Sequence, residues 1–453
     1  MYPTFQLINA PMEQLYVKSS RTGNYPPLSL AALAGYILNK HPDYPIELID
    51  GEFTSLDKIL NNLSAQVIGI SCNVMTYKNA LIITKAASQN GSKVILGGPY
   101  PSSMAQKILS KRSYIDAAVV GDGEMALLNY LEGRSNETIP NLVYRKDGSI
   151  QTNKNVDFDL NKAPNPNYAN LNLALYFKNF SERYNSFKPF KKSLAIYSRK
   201  GCIWREQSNG GCVFCMIPHQ GIRYRNKRDI WNEIISYQNI GIDYVWDVCD
   251  TFTEDDRWIK EFIGLRPSNC NVRFQIYGRP NHITNRMSMQ LRELGVYEVF
   301  IGAESGDDVI LKNSNKGITV TQVRRAVDAL ANCGLKVIIS FVLGLPGENY
   351  ETLQKTIDFA RELISYGNSI ETSCSIMLPI PGSAAFSQLV RIPQLKDKYA
   401  QDLFDLEEIK VDWVKFFTDI PYAELLAAQD EITELFPLNS SFSKPEWISA
   451  PCC

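Results

Sequence analysis

Apolar runs of strand length alternate with amphipathic stretches in the first 150 residues of the chain. The amphipathic stretches have a helical period and fall at 28–38, 55–63, 76–89 and 101–111, with another that begins at Met125. The apolar runs predict strands at 4–9, 46–50, 67–71, 93–97 and 117–120. Strands that are separated by helices favour a parallel, doubly wound sheet, in which ligands bind beyond the carboxyl ends of the strands.

The same alternation returns after residue 192. Strands are predicted at 193–198, 244–250, 272–277, 297–302, 336–344 and 371–378. Helices are predicted at 227–238, 255–262, 284–294, 319–332 and 349–364. Six such repeats predict an open, partial (β/α)6 barrel, and the active sites of barrels lie at the carboxyl ends of their strands.

Two stretches of different composition separate and follow these regions. Residues 151–192 contain the run NKAPNPNY, and its Pro and Asn residues favour turns, so this stretch is predicted to be a linker. Residues 386–453 have a helical pattern. We therefore predict an α/β protein with a Rossmann-like domain (1–150), a linker (151–192), a partial barrel (193–385) and a helical C-terminal region (386–453).

Composition limits the environment and the partners of the chain. The net charge of the 453 residues is −1, so neither a polyanion nor a membrane surface is expected as a partner. No apolar stretch approaches the roughly 18 residues that span a bilayer, and the first residues lack the order of a signal peptide. Ten cysteines in such a chain predict metal ligands and buried thiols, which places the protein in a reducing cytoplasm.

Cys202, Cys212 and Cys215 lie in one loop after the first predicted barrel strand, SRKGCIWREQSNGGCVFCMIP. Three thiolates can hold three irons of a four-iron cluster while the fourth iron stays open to a small ligand. The same cysteines with His219 would instead complete a Cys3His zinc site. The loop alone leaves both interpretations open. Of the other thiols, Cys249 is expected to be structural, and Cys452 and Cys453 are expected to belong to a frayed tail.

The N-terminal third closely resembles the cobalamin-binding domain that precedes many radical S-adenosylmethionine (SAM) cores. The matching segments are YPPLSLAALAGYI, VIGISCNVMT, VILGGPYPS and VVGDGE, followed by PNLVYRKDGSI at the position of a closing hairpin. The motif D-x-H-x-x-G is absent, as is typical of that branch. The resemblance implies cobalamin at the strand ends, although an empty structural domain is the alternative. The cofactor-binding residues would be Ser71, Asn73, Gly97, Gly98, Gly121, Gly123 and Glu124.

The second half resembles the radical SAM enzymes. Phe214 stands before the last of the three cysteines, and the strand ends carry DVCDTFT, IYGRPN, IGAESG, FVLGLPGEN and LPIPGS. The chain departs from the family's C-x3-C-x2-C spacing, because nine residues separate Cys202 from Cys212. The resemblance implies a [4Fe–4S] cluster on the three cysteines that binds and cleaves SAM.

The same resemblance implies a role for residues at each strand end. Asp250 would bind the SAM ammonium. Tyr277 and Arg279 would face the site, with Arg279 on the SAM carboxylate. Glu304, supported by Ser305, would bind the ribose hydroxyls. The residues expected around adenine are Phe214, Gly344, Gly347 and Pro379, and Glu348 is expected to cap the following helix.

These implications lead to one expected function and two alternatives. We expect a cobalamin-dependent radical SAM methyltransferase that acts on a small molecule and receives electrons from a flavodoxin or ferredoxin. A cyclase or rearrangement enzyme without a methyl-carrying cobalamin is the first alternative. A zinc-stabilised binding protein without activity is the second. A basic run from Arg223 to Arg228 could contact RNA, but no added RNA-binding domain is visible, so a nucleic-acid partner is not expected.

Overall fold

The computed structural model describes residues 2–13, 23–168, 170–184, 188–208, 210–217, 221–367 and 369–435. The chain forms two compact units. The first contains the described residues up to Pro189 together with Pro393–Phe404, and the second contains the described residues of Phe190–Ile392 and those from Asp405 to Leu435.

The first unit is built on a seven-stranded sheet with the order β2-β1-β3-β4-β5-β6-β7. The strands are β1 (Phe5–Asn9), β2 (Ile46–Asp50), β3 (Val67–Ser71), β4 (Lys93–Gly97), β5 (Ala117–Val119), β6 (Leu142–Lys146) and β7 (Ser149–Thr152). The first five are parallel, and β6 and β7 form an antiparallel hairpin against β5. The predicted doubly wound sheet and its closing hairpin are confirmed.

Five helices cover the two faces of this sheet: α1 (Leu28–Lys40), α2 (Leu56–Asn61), α3 (Tyr77–Gln89), α4 (Pro99–Lys111) and α5 (Glu124–Leu131). One apolar core contains Ile59, Ile83 and Ile108 from α2, α3 and α4. The other contains Leu30 of α1 and Leu127 of α5. Because the strand order changes direction at β1 and β3, the carboxyl ends of these strands mark the position where such sheets bind ligands.

The stretch that was predicted to be a linker contains a helix, α6 (Leu173–Tyr184). Tyr176, Phe180 and Tyr184 recur every four residues and are buried on one face of it. The Tyr176 hydroxyl donates to Asp50 at the end of β2. The run of Pro and Asn ends before this helix. The buried aromatic side chains on one face of the helix then pack the segment into the first unit.

A segment from late in the chain also belongs to the first unit. Pro393–Phe404 contains the short helix α15 (Pro393–Lys396), and its Asp402 is 2% exposed. The Asp402 carboxylate accepts from the Tyr77 hydroxyl at 2.7 Å and from Arg112 Nε and Nη2 at 2.7 and 3.0 Å. The Asp402 carbonyl accepts from the Tyr100 hydroxyl at 2.7 Å. The Asp402 carboxylate thus binds the start of α3 and the end of α4, and the Asp402 carbonyl binds the first turn of α4.

The second unit is built on a six-stranded parallel sheet with the order β15-β14-β13-β12-β11-β8. Its strands are β8 (Ser193–Ile196), β11 (Tyr244–Asp247), β12 (Arg273–Gly278), β13 (Val296–Glu304), β14 (Lys336–Leu343) and β15 (Ile370–Ile376). Its helices include α8 (Lys227–Asn239), α9 (Asp256–Gly264), α10 (Asn285–Leu294), α12 (Val320–Asn332), α13 (Tyr350–Ile364) and α14 (Ala384–Leu389). All six predicted strands and their helices are present, so the partial barrel is confirmed.

Short elements interrupt this repeat at the carboxyl ends of the strands. They are the hairpin of β9 (Arg199–Lys200) with β10 (Arg223–Tyr224), the helix α7 (Ile203–Gln207) and the helix α11 (Asp308–Asn313). The last helices are α16 (Leu406–Phe417) and α17 (Tyr422–Glu434). Cys452 and Cys453 lie outside the described residues. No helix in the described ranges has the length and apolar character that a membrane span requires.

Candidate active site

The β9–β10 hairpin closes the loop that carries the three cysteines. Gly201, just before Cys202, has a φ of +100°, and a Cβ added there would lie 1.8 Å from the Gly221 carbonyl oxygen. Only glycine therefore fits at position 201, where the start of the cysteine loop passes close to its end. The nine residues between Cys202 and Cys212 contain α7, and Cys215 N donates to Cys212 O at 3.0 Å. The long spacing between Cys202 and Cys212 thus accommodates a short helix inserted in the loop.

The three thiols are free, and Cys212 is buried while Cys202 and Cys215 are half-buried. Burial, and then the neighbouring Glu254, raise the pKa of Cys202 to about 11. Burial, and then Cys212, raise the pKa of Cys215. A metal must displace these protons, because thiolates are the ligands of iron–sulfur clusters. A set of three thiols on one loop at the barrel mouth suits a cluster with one open iron.

Two carboxylates that follow β11 bind the backbone on either side of Cys202. Asp250 Oδ2 accepts from Gly201 N at 2.5 Å, and Glu254 Oε2 accepts from Ile203 N at 3.1 Å. Glu254 Oε1 lies 3.6 Å from Cys202 Sγ. Burial raises the pKa of Asp250 to about 6 and that of Glu254 to about 7. The structure places the predicted Asp250 beside the loop and adds Glu254, which the sequence reading missed.

A tight turn of residues 314–317, here called the clamp turn, holds the inserted part of the cysteine loop. Ser314 O accepts from Val213 N at 2.9 Å. Asn315 Nδ2 donates to Gly211 O at 2.7 Å, and Asn315 O accepts from Trp204 Nε1 at 2.7 Å. The Trp204 ring packs on Gly317, where an added Cβ would lie 2.1 Å from the ring. The clamp turn therefore fixes α7 through Trp204 and fixes the second half of the loop through its backbone.

Lys316 of the clamp turn lies between the cysteine loop and β13. Its Nζ is 2.6 Å from Glu304 Oε1, and both side chains are buried. Burial alone would lower the pKa of Lys316, but Glu304 and then Cys212 more than offset this and raise it. Glu304 has a φ of +64°, a strained value for a residue with a side chain. The candidate ribose ligand is thus held by a cation whose pKa is also influenced by the charge of Cys212.

Arg279, at the end of β12, reaches the same place. Its Nη2 donates to Lys316 O, and its guanidinium lies 4.9 Å from the centre of the Trp204 ring. Its Nε is buried and has no hydrogen-bond partner among the described residues. Arg279, Lys316 and Glu304 therefore form one buried charged group against Trp204 and Phe214 of the cysteine loop. The sequence reading found two of these three residues and missed Lys316, because its partners lie 12 and 37 positions away.

Other residues singled out in the sequence have further contacts within the protein. The Ser305 hydroxyl lies 3.1 Å from the Thr356 hydroxyl of α13. Phe214 lies with its ring 6.0 Å from Lys316 Nζ. Tyr277 contacts the rings of Trp246 and Phe300. Cys249 is 1% exposed, and burial raises its pKa well above the ordinary value.

The glycines after β14 support packing. An added Cβ at Gly344 would lie 3.3 Å from Leu425 of α17, and Trp413 Nε1 of α16 donates to Gly344 O at 2.8 Å. An added Cβ at Gly347 would lie 2.8 Å from Asn313 Nδ2. Pro379 is buried after β15.

The expectation that Glu348 caps the next helix is wrong. Asn349 caps α13 in a capping box with Thr352, while Glu348 Oε2 accepts from Gly344 N at 2.5 Å. Burial raises the pKa of Glu348 to about 7. Glu348 thus closes the turn that follows β14, and the helix begins one residue later.

The carboxyl edge of the first sheet carries the other group of candidates. Ser71 and Gly97 end neighbouring strands and are paired in register. An added Cβ at Gly97 would meet no atom within 4 Å, whereas at Gly98 it would lie 2.6 Å from Cys72 O. Asn73 Oδ1 accepts from Thr76 N at 3.1 Å and so shapes the turn before α3. The backbone at Gly97 is therefore open to a large ligand.

The end of β5 continues this edge. Gly121 has a φ of +76°, and its N donates to the Ser102 hydroxyl at 3.1 Å. Gly123 is the residue before α5, and Glu124 is buried in the first turn of that helix. These small residues and tight turns fit a bulky planar cofactor that lies against the backbone.

No three His, Cys, Asp or Glu side chains within the described ranges are close enough together to hold a single metal ion. His219, which would complete a zinc site, lies outside those ranges.

Two protein families match separate parts of the chain. Residues 16–131 match the B12 binding domain, and residues 206–360 match the radical SAM superfamily. The second match covers Cys212 and Cys215 and begins after Cys202, within the inserted helix. The two matches fall on the first sheet and on the barrel.

Curated relatives align over most of the chain. An uncharacterized methyltransferase of Pyrococcus horikoshii is 27% identical over 79% of this chain and 77% of its own length. The anaerobic magnesium-protoporphyrin IX monomethyl ester cyclase of Rubrivivax gelatinosus is 25% identical over 81% of this chain and 67% of its own length.

Solved structures share the fold. The radical SAM methyltransferase TsrM of Kitasatospora setae, with cobalamin and a [4Fe–4S] cluster bound, gives a TM-score of 0.67 at 16% identity and covers 86% of this chain and 75% of its own. The cobalamin-dependent radical SAM enzyme OxsB gives a TM-score of 0.62 at 17% identity over 96% of this chain and 56% of its own. The chain thus joins a B12 binding domain to a radical SAM domain, and these two domains imply a radical SAM enzyme with SAM, a [4Fe–4S] cluster and cobalamin as its cofactors.

Proposed function

We propose that the protein cleaves one SAM reductively with a [4Fe–4S] cluster held by Cys202, Cys212 and Cys215 and transfers the methyl group of a second SAM, which leaves as S-adenosylhomocysteine, to a small-molecule substrate. When bound, the cluster supplies one electron to the SAM sulfonium and cobalamin supplies the methyl carrier. A flavodoxin or ferredoxin would provide the electron. Cobalamin would lie against the carboxyl edge of the first sheet, at Ser71, Gly97 and Gly121.

The residues at the barrel mouth would bind and orient SAM. Glu304 has a second carboxylate oxygen for the ribose hydroxyls while Lys316 holds the first. Arg279 Nε, which has no hydrogen-bond partner among the described residues, would bind the SAM carboxylate. Asp250 and Glu254 would accept from the ammonium, since both lie beside Cys202. These donors and acceptors are complementary to the three polar parts of SAM.

The observation that carries this proposal is the position of Lys316. Its Nζ lies 2.6 Å from an oxygen of Glu304, the proposed ribose ligand, and 6.0 Å from the ring centre of Phe214, which stands between the proposed cluster ligands Cys212 and Cys215. A zinc scaffold would have no need for a buried carboxylate in a strained backbone beside its cysteines. Lys316 instead connects the proposed cluster site with the proposed nucleoside site.

The first test is the metal content and SAM cleavage of the anaerobically purified protein. We expect about four irons and one cobalt per chain, and formation of 5'-deoxyadenosine from SAM with dithionite as reductant. One zinc without iron would contradict the enzyme activity.

The substitution Lys316→Met tests the role of the clamp turn in SAM binding. Loss of the cation leaves the Glu304 carboxylate buried and unpaired, which costs about 3–5 kcal/mol in such pairs. We expect SAM affinity to fall more than tenfold while the iron content is retained. Lys312→Met, which removes an exposed lysine of α11, is the matched control. Equal SAM affinity in both variants would remove Lys316 from the SAM site.

Ring formation is the second candidate, because the cyclase relative aligns as extensively as the methyltransferase. SAM that carries a 13C-labelled methyl group separates the two reactions. Label that moves from SAM to bound cobalamin supports methyl transfer. Formation of 5'-deoxyadenosine with all label retained in methionine supports cyclisation or rearrangement.

A further inference from the structure

The inward-facing side chains of the barrel form two different walls. Trp246 of β11, Tyr277 of β12 and Phe300 of β13 face the interior from three adjacent strands, and these three residues are here called the aromatic wall. The ring centres of Trp246 and Tyr277 are 6.0 Å apart, and those of Tyr277 and Phe300 are 5.2 Å apart.

The exposure of these rings shows that the interior beside them is open. Trp246, Tyr277 and Phe300 are each half-buried, whereas Val245, Ile276 and Val299, which precede them on the same strands and face the helices, are fully buried at 0% exposure. A packed barrel core would bury both sets equally. The aromatic wall therefore borders space that a ligand can occupy.

The opposite side of the interior carries hydroxyl groups. Ser340 of β14 pairs in register with Ser373 of β15, and Ser375 follows two positions later on the same face. The Ser373 hydroxyl is buried and has no hydrogen-bond partner among the described residues. Gln275 Nε2, below Tyr277 on the same face of β12, is also buried without a partner in those residues. A ligand with hydrogen-bonding atoms on this side of the interior would supply the partners that these two groups lack.

Charged groups lie only at the two ends of these walls, as far as the described residues of the six strands show. Below the rings, Lys336 pairs with Glu298 and Glu371. Above them, Gly302 lies directly under the Glu304–Lys316 pair, because a Cβ added there would be 2.1 Å from Glu304 Oε1. Gly302 is two residues beyond Phe300, a rise of about 7 Å along a strand. A small molecule that contacts Phe300 can therefore also extend to the region of Glu304, the proposed ribose ligand.

From these contacts we infer that the substrate is an uncharged small molecule with a flat, unsaturated ring system and at least one hydrogen-bonding group. Its ring lies against Trp246, Tyr277 and Phe300, and its polar group bonds Ser373 or Gln275. This inference rests on the proposed function, because the reacting position would face the SAM site over Gly302. A charged group on the ring would be buried between the walls without a counterion, which is costly.

Three matched probes test this inference on the anaerobic holoenzyme by calorimetry. 2-Naphthol is flat and uncharged, decahydro-2-naphthol keeps the hydroxyl but is puckered, and 2-naphthoate is flat and charged. We expect 2-naphthol to bind at least fivefold more tightly than either of the others. Equal affinities for the flat and puckered alcohols would overturn the inference.

Variants locate the binding. Phe300→Leu removes one ring at similar volume and should weaken 2-naphthol about threefold to tenfold while changing decahydro-2-naphthol little. Ser373→Ala should weaken both alcohols alike. Phe416→Leu, on an exposed part of α16, is the control and should change neither. If Phe300→Leu does not fold, Tyr277→Leu gives the same comparison, and unchanged 2-naphthol binding in a folded variant contradicts the inference.

Failure of this inference and failure of the proposed function give different results. SAM cleavage is measured on each preparation that is used for calorimetry. Normal cleavage without ring-selective binding overturns the substrate class and leaves the proposed function intact. Ring-selective binding that depends on Phe300, without SAM cleavage, overturns the proposed function and retains the binding site.

Discussion

Both candidate binding sites lie at the carboxyl ends of parallel strands, one in the first sheet and one in the barrel. They are built from different residues. The first edge consists of glycines and tight turns, with open space at Gly97. The barrel mouth consists of buried charges that bind one another, Lys316 with Glu304 above all. A large planar cofactor requires open space beside the backbone. A small charged nucleoside requires charged and hydrogen-bonding side chains at matching positions. Substitutions at the two sites should therefore affect the binding of different cofactors.

The largest effect is expected from Cys212→Ala. Loss of one of three thiolates should reduce the iron content from about four per chain to near zero and abolish SAM cleavage. Cobalt content should stay unchanged, because cobalamin would be held by the other sheet. Cys270→Ala, which removes a buried thiol elsewhere in the barrel unit, should keep both metals. Parallel loss of cobalt and iron in Cys212→Ala would show that the two sites are not independent.

Gly97→Val is the complementary change at the first sheet. The added side chain meets no atom within 4 Å at its Cβ, so the melting temperature should change by no more than a few degrees. The same side chain would occupy the space against which cobalamin lies, and cobalt per chain should fall at least tenfold while iron is retained. Full cobalt loading in this variant would remove Gly97 from the cofactor site.

A pH-dependent effect of intermediate size is expected from Glu348. Its pKa is raised to about 7 in the folded protein from an ordinary value near 4.5, so the protonated form is favoured by folding. Its contribution to stability is complete below about pH 4.5 and is lost as the pH rises through 7, by up to about 3 kcal/mol. Urea unfolding of the apoprotein at pH 5 and pH 8 should show that Glu348→Gln loses less stability than the wild type between these values. Glu351→Gln, on the exposed face of α13, should behave as the wild type does.

The smallest effect is expected from Trp204→Phe. The change keeps a ring over Arg279 and Gly317 but removes the hydrogen bond from Trp204 Nε1 to Asn315 O. One such bond contributes about 1 kcal/mol, so SAM affinity should weaken by less than about tenfold with iron retained. Trp204→Ala should weaken it further, because the cation–π contact is lost as well. Identical SAM affinity in all three proteins would show that α7 does not orient Arg279.

Much of the fold followed from the period of apolar residues. All eleven predicted strands overlap observed ones, because each was a short apolar run bounded by turn residues. The helix α6 was missed because the adjoining Pro and Asn residues dominated the reading of that stretch. Helix α7 was missed because five residues between two cysteines are too few to show a period.

The site was predicted in part for a different reason. Residues at strand ends, such as Asp250, Arg279 and Glu304, can be found because topology brings strand ends together. Lys316 and Glu254 lie in turns, and only the folded chain shows that Lys316 lies near Phe214 and Glu254 near Cys202. The four-residue spacing from Asp250 to Glu254 was the one signal for Glu254. Nothing in the sequence around Lys316 distinguishes it from an exposed lysine.

The segment Pro393–Phe404 has a consequence for anyone who divides this protein into fragments. A fragment that ends at residue 189 would contain the whole first sheet but not Asp402, the partner of Tyr77 and Arg112. The two hydroxyls at the starts of α3 and α4 and one guanidinium would lose their acceptors together. A cobalamin-binding fragment therefore needs this twelve-residue segment, supplied by fusion or as a peptide, although it is encoded some two hundred residues downstream. Limited proteolysis between the units would likewise leave this segment bound to the N-terminal piece.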